Sequence, residues 1–92
     1  MKNPPRTLAD AVERLSQDLT ADELDALAAH REDDLIEYHF GLGARIRDEF
    51  GLWEPDSPLL ADCAQQTANG GWLHPDDASM VILRALMARL RH

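Results

Sequence analysis

Leu8, Val12, Leu15 and Leu19 recur at intervals of four, three and four, with mostly polar and charged residues between them. An α-helix turns by about 100° per residue, so this spacing puts all four on one face. Thr7 stands where an N-cap belongs, with Asp10 three residues on, and the pattern predicts a first helix over 8–18. In "LTADEL" that follows, Thr20 and Glu23 have the spacing of a capping box. Asp22 and Glu23 suit the positive end of a helix dipole, and Leu19 and Leu24 are placed for a hydrophobic staple. Leu24, Leu27 and Ala28 continue the stripe and predict a short second helix over 21–30.

The longest periodic run is "REDDLIEYHFGLGARIRDEFGLW". Leu35, His39, Leu42, Ile46 and Phe50 are spaced four, three, four and four, which is again one helical face. The run predicts a helix over 33–50, stopped by Gly51 at the C′ position. Gly41 and Gly43 fall inside the period, although each glycine in a helix interior costs about 0.5–1 kcal/mol relative to alanine. Close helix packing accounts for them best, and Gly43, nearer the apolar face, is expected to be the tighter of the two. A phosphate cradle with Arg45 and Arg47 competes, but such loops follow a strand and precede a helix, and no strand-like run precedes this one. A local kink is the third reading.

Ser57 and Pro58 read as an N-cap and first helical residue, opening a helix over 58–67 that buries Leu59 or Leu60, Cys63 and Ala64. "TANGGWLHPDD" is the main loop. Pro75 then opens a fifth helix with Asp76 and Asp77 in its first turn. Val81, Ile82, Leu83, Leu86, Met87 and Leu90 make it the most apolar and place it at the centre, and Arg84, Arg89 and Arg91 suit its C-terminal end. No segment alternates with period two over a strand's length. The expected fold is all-α, a compact bundle of four to five short helices forming a single domain over 7–92, behind a flexible N-terminal arm at 1–6 that holds Pro4 and Pro5.

Composition narrows this further. The chain has 92 residues, enough for one modest core, and only five aromatic residues, so Leu and Ala must fill most of it. The net charge of −8 is uneven: residues 1–40 carry ten acids against four bases, and residues 41–92 seven against five. An acidic surface repels phosphate backbones, so general nucleic-acid binding is not expected. A gel shift with duplex DNA at physiological salt should be blank, and micromolar binding there would contradict this reading. No apolar run approaches the ~20 residues of a membrane span, and the N-terminus lacks the apolar core of a secretory signal. No membrane association and a cytoplasmic location follow as expectations. The single Cys63 cannot form an internal disulfide.

Candidate chemistry is sparse. A metal site would draw on His39 and His74 with Asp76, Asp77 or Cys63, yet no established ligand spacing is present, and no cofactor is expected. His39 on an apolar stripe reads as a core histidine, and His74 before Pro75 as a helix cap. Cys63 with His39 or His74 has the residue types of a nucleophile and base, but its place on the apolar face of a helix favours an inert buried thiol. Asp76 and Asp77 sit at a helix N-terminus, which depresses a carboxyl pKa, the wrong direction for a general acid. Trp53 and Trp72 lie in loops beside Leu52 and Leu73, where a tryptophan either lids the core or anchors a partner. Exposed, "GLWEPD" and "NGGWLHPDD" would present an aromatic hot spot among carboxylates, suited to a basic target.

The runs "DLIEYHFGLGARIRDEFGLW", "LLADC" and "HPDDASMVILRALMARLR" resemble a family of small uncharacterised bacterial proteins that share an H-F-G-L-G-x-x-I-R-x-x-F-G-L motif and a later H-P-D-D-A-S helix start. The resemblance spans about residues 7–91 and rests on His39, Phe40, Gly41, Leu42, Gly43, Ile46, Arg47, Phe50, Gly51 and Leu52, then His74 to Asp77. It implies family membership and no particular chemistry. The function expected from all this is a non-enzymatic acidic interaction protein, such as a small inhibitor, antitoxin, immunity protein or adaptor. It would bind a protein partner, basic in charge, through residues among His39, Arg45, Arg47, Trp53, Trp72, His74, Asp76 and Asp77. The alternative is a small enzyme or ligand-binding domain using His39, Arg45, Arg47, His74 and Asp77. The sequence specifies no oligomeric state.

Overall fold

The computed structural model describes residues 4–29, 41–54, 56–68 and 73–90. Among them are five helices and no strand: α1 Leu8–Asp18, α2 Ala21–Ala29, α3 Leu42–Glu49, α4 Pro58–Ala68 and α5 Pro75–Leu90. The protein is all-α. None of the described helices is long and apolar enough to cross a membrane.

The starts of α1, α2, α4 and α5 follow from their caps. Thr7 Oγ1 accepts the Asp10 N–H at 3.1 Å, and Ser57 Oγ accepts the Leu60 N–H at 3.1 Å with Pro58 as the first helical residue. The capping box closes in both directions. Thr20 N–H donates to Glu23 Oε1 at 2.9 Å, and Glu23 N–H donates to Thr20 Oγ1 at 3.1 Å. These bonds from Thr20 hold the Glu23 carboxyl below the usual glutamate range. His74 caps α5, its Nδ1 accepting the Asp76 N–H at 3.0 Å.

One cap comes from far away in sequence. Leu8 N–H donates to Asp62 Oδ2 at 2.7 Å, so a carboxylate on α4 satisfies the first orphan donor of α1 and holds the two helices together. Asp62→Ala should therefore lower stability by about 1 kcal/mol in urea unfolding, and Asp62→Asn by less. An alanine variant with an unchanged midpoint would show that water replaces the carboxylate at no cost.

Helix α3 corrects one expectation. The predicted helix over 33–50 is not continuous through Gly41: α3 begins at Leu42. Gly41 precedes it as the N-cap with ψ −94°, outside helical geometry, and residues 33–40 lie outside the described residues. A helix that starts after Gly41 escapes the propagation cost of that glycine. Among the described residues a Cβ added at Gly41 meets nothing within 4 Å, so no close-packing partner for it is seen there. Gly43, by contrast, is buried. The other end is as predicted. Gly51 takes φ +67°, Phe50 N–H donates to Ile46 O at 2.9 Å, and Leu52 N–H donates back to Arg47 O at 3.0 Å. That last bond is the long link of a Schellman motif, and it delivers Leu52 into the core.

Helix α5 packs against each of the other four. Its Ala78, Ile82, Leu83, Leu86 and Met87 are buried with Val12 and Leu15 of α1, Leu27 of α2, Ile46 of α3, and Leu59, Leu60 and Cys63 of α4. A helix wrapped by others must be apolar on several sides, which explains why α5 carries the richest apolar run. On the surface Glu13 of α1 pairs with Arg89 of α5. The Arg89 hydrogen bond and charge hold the Glu13 carboxyl below its ordinary range.

Candidate functional site

Gly43, Ile46 and Arg47 form the buried face of α3, turned toward α5. An arginine on such a face needs partners for its guanidinium. Arg47, only 6% exposed, donates from Nη1 to Ser79 Oγ at 3.1 Å, and Ser79 Oγ donates to Asp76 O at 2.8 Å. Arg47 Nε lies 3.2 Å from Asp76 Oδ1, an ion pair whose angle is too oblique for a hydrogen bond. Asp76 in turn sits in the first turn of α5, where the helix dipole favours a carboxylate. Arg47 thus clamps the C-terminal end of α3 to the N-terminal end of α5.

Trp53 emerges from the turn that Gly51 makes. It is 55% exposed, the large hydrophobic residue that the fold leaves in solvent among the described residues. Three neighbours hold it. Its Nε1–H donates to Asp48 Oδ1 at 3.2 Å, the His74 ring meets it edge-on with centroids 6.2 Å apart, and the Arg47 guanidinium carbon lies 6.0 Å from the ring centroid. His74 completes the group, with Nδ1 3.7 Å from Asp76 Oδ2.

Arg47, Trp53, His74 and Asp76 are therefore one cluster at the α3–α5 junction. Arg45 lies two residues from Arg47 and so on another side of the helix. It pairs with Glu49 at 3.1 Å on the exposed surface, and its charge helps depress the Glu23 carboxyl. Asp77 is exposed and next to Asp76 in the chain. His39 and Trp72 lie outside the described residues. Asp48 and Ser79 were not picked out as site residues from sequence. Ser79 carried a faint signal, since it stands three residues after Asp76 on the same helix; Asp48 carried none, because its bond crosses the Gly51 turn.

Arg47 holds two helices together and His74 caps α5, and the groups that reach solvent are the Trp53 indole, the His74 imidazole and the Asp48 and Asp76 carboxylates. Among the described residues no three His, Cys, Asp or Glu side chains are grouped to hold a metal ion. None of the six candidates among the described residues lines the cavities of about 330, 350 and 360 Å³. Cys63 is fully buried, and burial, with the Asp62 charge beside it, pushes its thiol up to about 11. It is a thiol at neutral pH, the form in which a cysteine is a poor nucleophile. A disulfide reagent should modify Cys63 in the native protein at least roughly 100-fold more slowly than in concentrated urea, from the thiolate fraction alone. Equal rates would mean that the α4–α5 interface opens freely.

The chain has no match among curated proteins or solved structures. A family model does match it, over residues 4–90, nearly the whole length, and the chain accordingly belongs to the family described as a domain of unknown function, DUF6794.

Proposed function

We propose that the protein is a small non-enzymatic interaction domain, an inhibitor, antitoxin, immunity protein or adaptor of the bacterial cytoplasm. It engages a basic protein through the face centred on Trp53. One observation carries this reading: Trp53 stays 55% exposed while Asp48, His74 and Arg47 already hold its ring. Tryptophan is the residue type most enriched among binding hot spots, and a ring already held loses little freedom on docking. The carboxylates of Asp48 and Asp76 touch the same cluster, and the chain carries a net charge of −8, so complementarity favours a cationic surface opposite. Less supports the alternative, a small enzyme or ligand-binding domain using His39, Arg45, Arg47, His74 and Asp77. Of these, Arg45 and Arg47 lie on different sides of α3, and Arg47 is engaged in the clamp.

The test is photo-crosslinking in cells of the native host, with benzoylphenylalanine replacing Trp53 and, as control, the exposed Gln17 of α1. The expected result is a discrete adduct from position 53 alone, identified by mass spectrometry as a protein with a basic surface. No adduct from position 53, or the same adducts from both positions, rejects the reading.

A further inference from the structure

Immediately after Trp53 in the chain, the connection between α3 and α4 meets the N-terminal arm around an open groove of about 330 Å³. Pro5 and Arg6 line it from the arm, and Phe50, Glu54, Asp56 and Pro58 from the connection. Phe50 is almost wholly buried and rooted in the core, so it gives the groove a fixed apolar floor. The prolines hold a fixed φ and have no N–H to satisfy, which suits them to an apolar wall that does not reorganise. Two turn bonds hold the rim: Glu54 N–H donates to Gly51 O at 3.1 Å, and Ser57 N–H to Glu54 O at 3.1 Å.

The size lies at the low end of cavities that seat ligands, and the lining says which kind. Its charged groups, Arg6, Glu54 and Asp56, are exposed side chains on the rim rather than buried groups that would orient a small molecule. Among the described residues neither Glu54 nor Asp56 forms an ion pair with a cation of this chain, although Arg6 lines the same groove. An apolar floor beside two uncompensated carboxylates complements an apolar side chain with a cation next to it. We infer that the groove seats an extended segment of the basic partner, with an apolar side chain on Phe50 and the prolines and an adjacent Lys or Arg on Glu54 and Asp56. Trp53 covers the continuation of that segment. The inference rests on the Trp53 reading and names the chemistry of what that face takes.

The primary test is a nuclear magnetic resonance titration of the labelled full chain with a capped hexapeptide of alternating leucine and arginine, beside its leucine–glutamate counterpart. The arginine peptide is expected to shift the amides of Gly51, Glu54, Asp56 and Ser57 and the Trp53 indole. The double variant Glu54→Gln, Asp56→Asn should bind it about tenfold more weakly while unfolding at the wild-type urea midpoint. Shifts along the equally exposed α2 carboxylates Asp22 and Asp25 instead, equal binding of the glutamate peptide, or no shift at millimolar peptide overturns the inference. Crosslinking from position 58 separates it from the reading it rests on. Adducts with the same basic protein from 53 and 58 support both. An adduct from 53 alone removes the groove and keeps Trp53; one from 58 alone keeps the groove and removes Trp53; none from either removes both. A dimer in sedimentation that Pro58→Arg disrupts would put a second copy of this chain in the groove and also overturn the inference.

Discussion

Arg47→Ala is expected to lower the unfolding free energy by about 2–4 kcal/mol. Three losses combine. The packed stem of a side chain only 6% exposed leaves a cavity between α3 and α5. The Nη1 bond to Ser79 disappears, and so does the ion pair with Asp76. The effect should stay below that of breaking a wholly buried pair, because the Asp76 side chain is 39% exposed and water can reach it. Arg47→Met separates the contributions. Methionine keeps most of the stem volume and removes the charge, and apolar replacements of buried ions are often close to neutral, so about 1 kcal/mol of loss is expected. Urea unfolding of both variants checks this, with the slope held constant to show that the denatured state is unchanged. A loss under about 1 kcal/mol in the alanine variant would rule out the clamp. Equal losses in both would assign the effect to the polar contacts and none to packing.

Gly51→Ala should cost about 1–2 kcal/mol, the penalty of placing an L residue in the left-handed region. At φ +67° an added Cβ meets only Glu54 Cγ, at 4.0 Å, so the cost is conformational and not steric. The same methyl at Gly41 is the control. That position has a negative φ and nothing within 4 Å of an added Cβ among the described residues, so only the poorer N-cap is felt and Gly41→Ala should cost about 0.5–1 kcal/mol. Gly51→Asn should fall between the two, since asparagine tolerates the left-handed region. Equal effects at 41 and 51 would mean that the chain leaves the Schellman turn when glycine is lost. Because that turn carries Leu52 into the core and Trp53 out to solvent, Gly51→Ala should also weaken any contact made through the indole.

The sequence by itself determined whatever is encoded within a few residues. Thr7, the Thr20–Glu23 pair, Ser57 and His74 cap helices through partners two or three residues away, and Gly51 ends one through bonds that span a single turn. Spacing alone specifies such bonds, because helix geometry brings those atoms together whatever the rest of the chain does. The central place of α5 was legible for a related reason, since only a helix covered by several others can bury that many apolar residues. The apolar period misled at Gly41, because period reports which side chains face inward and not whether the backbone is helical at a glycine. Tertiary structure alone decided the rest. Asp62 reaches the start of α1 across 54 residues of sequence, and Arg47 meets Ser79 across 32. Whether Trp53 lids the core or faces solvent depended on how α3 and α5 meet, with Asp48, His74 and Arg47 then holding the ring outside. Those contacts follow from the packing of whole helices, where the partner of each side chain is chosen by the fold and leaves no pattern in the neighbouring residues.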